Sequence, residues 1–161
     1  MSDHDIAMRP FSQSLPMALL RARESTMRLF RPMLATHDLT EQQWRVLRAL
    51  AAADQPLEVG EVAARTFLLG PSLSRILANL EARTLVRRRL ASHDQRRSQL
   101  SLTAAGHRLV RRIAPTSEAT YEAIEAHFGK DRLSELLTLL DELAHIDSAL
   151  ASGSDNEGAV A

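Results

Sequence analysis

The chain has 161 residues, 45% of them hydrophobic, with 20 basic and 20 acidic side chains and no cysteine. That composition suits one domain with a sizeable core, or a small domain with appended helices, and it excludes disulfides, thiol chemistry and Cys-containing zinc sites. The charge is unevenly placed: residues 71–112 hold ten Arg against Glu81 and Asp94, a net of +8, while residues 113–161 carry −8 and residues 1–70 balance.

The first residues, MSDHDIAMRPF, carry acids and lack the apolar core of a signal peptide. No apolar run approaches the roughly 20 residues that span a bilayer, so a cytoplasmic chain with no membrane partner is expected. From Ser12 or Ser14 to about Ala35 the spacing is helical, with Leu20, Met27, Phe30 and Leu34 on one stripe. Pro16 fits the first turn and Pro32 predicts a kink in the last. Arg23 falls on the same stripe. Either its guanidinium reaches water or an acid such as Glu24, or it meets an anionic ligand bidentately.

Thr40 and Gln43 have capping-box spacing at the head of the next helix, whose inward stripe is predicted as Trp44, Leu47, Leu50 and Ala51. Trp44, the sole tryptophan, suits core packing, and its edge would equally suit a pocket for a flat aromatic acid. Leu57–Val59 reads as a short extended piece and Gly60–Thr66 as a short helix. After a turn at 67–70, a second helix is predicted from Pro71 to about Arg83, giving a helix-turn-helix. Leu73, Ile76, Leu77 and Leu80 face inward, while Ser72, Arg75 and Asn79 form a polar face suited to base edges in a major groove.

Val86–Leu90 and Ser98–Leu102 read as two short strands, with residues 91–97 as a projecting loop. Asp94 is placed to brace Arg96, leaving an arginine at the tip to probe a narrow minor groove. Thr103 caps a further helix carrying Leu109, Val110 and Ile113, bent near Pro115 and closed by Gly129. A last helix, Asp131 to about Leu150, repeats Leu133, Leu136, Leu137, Leu140, Leu143 and Ile146, a stripe wide enough to need another helix. The stretch 151–161 is Gly/Ser-rich and reads as a disordered tail. The six His show no metal-ligand spacing, and there is neither a Gly-rich phosphate loop nor a nucleophile motif, so neither an enzyme nor a metal or cofactor site is called for.

The order helix, helix, helix-turn-helix, arginine-rich wing, helix, helix resembles the MarR family of bacterial winged-helix regulators. The residues that carry it are Leu39-Thr40-Glu41-Gln42-Gln43-Trp44, Pro71–Leu85, Asp94-Gln95-Arg96-Arg97 and Leu102-Thr103-Ala104-Ala105-Gly106. The likeness covers roughly residues 12–150. It implies a mainly α fold with a small β-hairpin wing: a winged helix-turn-helix at 39–103 and a helical dimerisation region at 12–38 and 104–150. It further implies a homodimer on a near-palindromic double-stranded DNA operator, contacted by Ser72, Ser74, Arg75, Asn79, Arg88, Arg96 and Arg97. Family members often release DNA when a small aromatic acid binds, and Arg23, Trp44, Arg45 and Arg48 would line that site here. Within the family, the stretch 22–50 is similar to repressors of aromatic-compound catabolism. One departure is Thr84, where the family commonly has Gly. The competing reading is an architectural DNA-binding protein that needs no effector.

Overall fold

The computed structural model describes residues 8–91 and 94–146, apart from the side chains of 91–97. The chain divides into two compact units, Met1–Ser117 and Glu118–Ala161.

In the first unit a 3-10 turn, Phe11–Gln13, precedes α1 (Leu15–Ala35), with Pro16 in its first turn as its preset φ favours. The helix continues through Pro32 and ends in a left-handed residue, Asp38 (φ 51°). The Asp38 N–H donates to the Ala35 carbonyl at 3.1 Å and the Leu39 N–H to the Leu34 carbonyl at 3.0 Å. This is a Schellman closure with a buried leucine following the left-handed residue.

Helix α2 (Glu41–Ala51) starts on the capping box that the spacing predicts. Thr40 Oγ1 accepts the Gln43 N–H at 3.2 Å and Gln43 Oε1 accepts the Thr40 N–H at 2.9 Å. Trp44, Leu47 and Leu50 are buried, but Ala51 is exposed and Val46 takes the remaining inward position. The helix therefore buries a broader face on its other side than the expected stripe.

Strand β1 (Leu57–Glu58) leads into α3 (Val59–Thr66), which ends in left-handed Phe67 (φ 53°). Helix α4 (Gly70–Ala82) buries Leu73, Leu77 and Leu80. It closes as α1 does: Thr84 is left-handed (φ 56°), its N–H reaches the Glu81 carbonyl at 2.9 Å, and the Leu85 N–H reaches the Leu80 carbonyl at 2.9 Å. A β-branched residue in that conformation costs on the order of 1–2 kcal/mol, which explains the preference for Gly at such a joint.

The hairpin is β2 (Val86–Ala91) and β3 (Asp94–Leu102), and β1 joins it to make an antiparallel sheet in the order β1-β3-β2. The projecting loop expected over 91–97 is shorter. Pairing runs from Val86↔Leu102 to Leu90↔Ser98, then shifts to Ala91↔Asp94, so a bulge absorbs residues 95–97 into β3.

Helix α5 (Ala104–Phe128) begins with Thr103 Oγ1 accepting the Gly106 N–H at 3.1 Å, and it continues through Pro115 without ending. Ile113 from α5 is fully buried, as are Leu34, Val46, Leu47, Val62, Leu73, Leu77, Leu80 and Leu100. Each such side chain contributes roughly 1.5–3 kcal/mol on leaving water.

The second unit holds residues 118–128 of α5, a turn at Gly129 (φ 96°) and α6 (Lys130–Ala144). Gly129 closes α5, its N–H donating to the Glu125 carbonyl at 2.9 Å. The Arg132 guanidinium lies over the Phe128 ring at 4.7 Å. No residue of α6 is buried, and Leu136, Leu137, Leu139 and Leu140 are exposed. No described helix is long and apolar enough to cross a membrane.

One contact tests the joint between wing and α5. A Cβ at Gly106 would lie 2.2 Å from the Leu85 carbonyl oxygen, a backbone atom that has no room to retreat. Gly106→Ala is expected to destabilise the protein by about 3 kcal/mol, the upper part of the range for overpacking, measured by chemical denaturation.

Candidate nucleic-acid interface

Helix α4 is held to the core by its leucines, which turns Ser72, Ser74, Arg75 and Asn79 to solvent. Ser72 lies in the first turn, where the free N–H groups of a helix carry partial positive charge, and Ser74 follows in the second. Arg75 makes no hydrogen bond or ion pair among the described residues. Asn79 is partly engaged, its Oδ1 accepting from Gln43 Nε2 of α2 at 2.8 Å. The turn before α4 exposes Phe67 and Leu69 almost completely.

On the hairpin the three consecutive arginines separate by strand alternation. Arg88 lies opposite Leu100 and reaches back to α4, where its Nε meets Glu81 Oε1 at 3.2 Å. Arg87 Nε donates to Ser101 Oγ at 2.9 Å. Arg89, opposite Gln99, is exposed and has no partner among the described residues, so it joins the candidate contacts. Alternation read from Val86 onward is the signal that would have separated it from Arg88. Asp94, Arg96 and Arg97 lie on β3, and the expected brace of Asp94 on Arg96 concerns side chains outside the described residues.

Arg23 and Arg45, two of the residues expected to meet an effector, hold partners within the chain. Arg23, on α1, donates Nη1 to Glu24 Oε1 at 2.6 Å and Nη2 to Glu41 Oε2 at 2.5 Å. Arg31 donates Nη2 to Glu24 Oε2 at 2.6 Å and Nε to Glu41 Oε1 at 2.5 Å. Two arginines and two carboxylates thus form a closed ring tying α1 to the first residue of α2. Glu41 also complements the positive end of that helix. Arg45 Nη1 instead donates to the Thr66 carbonyl at 2.8 Å and anchors the end of α3. Trp44 is buried, with Arg48 one turn further along α2 and exposed.

The hydrogen bond from Arg31 holds the Glu24 carboxyl below its ordinary value of 4.5, with the charges of Arg31, Arg23 and Arg28 adding to it against partial desolvation. Bonds to Glu24 and then Glu41 raise Arg31. A carboxyl with a lowered folded-state pKa stabilises the fold fully above the unfolded value and loses that stabilisation as pH falls through the folded one. Glu24→Gln is therefore expected to lower the thermal midpoint at neutral pH. The gap to the parent should close as both are acidified below about pH 4. Unfolding curves of the two proteins across that range provide the check.

Taken together, a helix-turn-helix with a polar exposed edge, a two-stranded wing beside it and an added third strand define a winged-helix protein. Residues 37–97 match the model of the MarR family. The homoprotocatechuate degradative operon repressor of Escherichia coli is 42% identical over 129 residues, covering 80% of this chain and 86% of that protein. The chain belongs to the MarR family and is a transcriptional regulator, not an enzyme. Among solved structures, NadR in complex with 4-hydroxyphenylacetate is 39% identical with a TM-score of 0.77, covering 85% of this chain and 99% of that one. The transcriptional repressor CouR bound to a 23-mer DNA duplex is 28% identical with a TM-score of 0.75, covering 83% and 94%.

Proposed function

We propose that this regulator is a cytoplasmic repressor of aromatic-compound catabolism genes. In this reading it binds a near-palindromic operator as a homodimer and is released by a small aromatic carboxylate. The observation that carries the DNA reading is the pairing of an unobstructed Ser72–Ser74–Arg75 edge on α4 with an arginine-bearing hairpin immediately after it. In this reading α4 lies in the major groove and Arg96 and Arg97 of the hairpin reach the adjacent minor groove. The CouR structure, bound to a 23-mer DNA duplex, supports duplex DNA as the partner. The exposed leucines of α1 and α6 support assembly through residues 12–38 and 104–150, since stripes of that width belong against another helix.

The effector reading is supported by the E. coli repressor of an aromatic-acid operon and by the NadR complex with 4-hydroxyphenylacetate. We assign the effector to Trp44 and Arg48, one turn apart on α2: an aromatic edge for the ring and a guanidinium for the carboxylate. Arg23 meets an incoming carboxylate only by giving up Glu24 or Glu41, so its entry would open the ring between α1 and α2. Arg45 supports the site from behind by fixing the end of α3.

Two measurements decide these readings. With an operator selected from random duplexes, Arg75→Ala is expected to weaken binding by ~1–3 kcal/mol and relax sequence preference. Arg97→Ala should weaken all duplexes alike and flatten the salt dependence; parental binding by both variants across a salt titration would refute the interface. Titration with 4-hydroxyphenylacetate should change Trp44 emission saturably and release the operator. No response to it or to a panel of aromatic carboxylates would favour an architectural protein without an effector.

A further inference from the structure

The basic block contains cations that neither the reading edge nor the wing tip uses. Arg83, Leu85, Ala105, Arg108, Leu109 and Arg112 line a solvent-open cavity of ≈ 320 Å³ at the base of the hairpin. Three arginines face it and no carboxylate lines it. Arg83 is pinned by Nη1 on the Asp38 carbonyl at 2.8 Å and Nη2 on the His37 carbonyl at 3.2 Å. Arg108 and Arg112 stand one turn apart on α5, exposed, with no hydrogen bond or ion pair among the described residues.

Like charges gathered around one notch raise its potential and attract an anion, and arginine pairs grip a carboxylate or phosphate in a bidentate manner. Buried Leu85 and half-buried Leu109 give the notch an apolar wall as well. The wall is rigid. The Leu85 carbonyl accepts the Thr103 N–H at 3.0 Å, and Gly106 packs directly against it. The position is also remote from the wing tip. Leu85 adjoins the base pair Val86↔Leu102, and the tip pair Ala91↔Asp94 lies roughly 17 Å further along the strand.

We propose that this cavity is a second anion site, taking a small carboxylate with a compact apolar body and separate from the Trp44–Arg48 site. Its volume falls at the lower end of small-molecule pockets. An anion held there joins the end of α4, through Arg83, to the start of α5, through Arg108 and Arg112.

Benzoate titrated into the full chain and followed by amide NMR tests this. Saturable shifts are expected at the Leu85 and Ala105 amides, weakened about tenfold or more in the Arg108→Gln/Arg112→Gln protein. These two side chains are exposed, and unchanged circular dichroism confirms that the variant is folded. Saturable shifts confined to the Trp44 indole would overturn the proposal while leaving the effector reading intact. So would shifts at Ala105 that ignore the substitutions. Finally, if the variant loses affinity for a non-specific duplex yet responds to benzoate as the parent does, these arginines serve the DNA backbone and the site does not exist.

Discussion

The carbonyl of Leu85 is the point on which the first unit turns. It accepts the Thr103 N–H and lies within reach of Thr103 Oγ1, while the neighbouring Thr84 carbonyl takes that hydroxyl at 2.6 Å. Gly106 closes over it without a side chain. One residue pair thus joins the end of α4, both ends of the hairpin and the start of α5. The left-handed backbone of Thr84 is the strained member of this joint, and the hydrogen bonds made by its own N–H and carbonyl keep it in place. The wing's direction relative to α4 follows from this closure and not from the strands themselves.

A matching closure ends α1 at Asp38, and Arg83 couples the two by donating to the Asp38 and His37 carbonyls. Two helix ends therefore share one guanidinium. The ring formed by Arg23, Arg31, Glu24 and Glu41 makes a second connection between α1 and the rest of the unit. Its members are partly exposed, so each pair is worth little by itself, and the ring acts chiefly by fixing geometry. Arginine thus serves as a strap at positions 23, 31, 45 and 83 and as an unpaired charge at 75 and 89.

Features set by local periodicity or by spacing of three or four residues were readable in the chain. The Thr40–Gln43 box, the Thr103 cap, the leucines of α4 and the closing Gly129 all belong to that group, whereas Thr84 stood out only against the family resemblance. What escaped depends on partners distant in sequence. Glu41 meets Arg23 across 18 residues and Gln43 meets Asn79 across 36, and nothing in either neighbourhood signals the pairing. The extended piece read at Leu57–Val59 is the strand Leu57–Glu58, but its place beside β3 rests on the distant pairs Leu57↔Leu100 and Glu58↔Gln99, which local sequence does not show. The hairpin was read with too long a loop because a bulge hides three residues inside β3. Val46 replaced Ala51 in the core because a helix enclosed on more than one side departs from a single stripe.

The contact between Gln43 and Asn79 carries one more implication. The bond from Gln43 favours the Asn79 orientation that brings its oxygen towards α2 and leaves its NH₂ group without use in that contact. An Asn amide has two donors and a second lone pair besides the one Gln43 uses, so a contact with a base edge at this position would keep its donors free and share its acceptor. The contact biases the side-chain rotamer before any encounter, which reduces the freedom left to be lost at this position. If Asn79 meets DNA as proposed, its presentation is thus set in part by α2, from outside the helix that bears it.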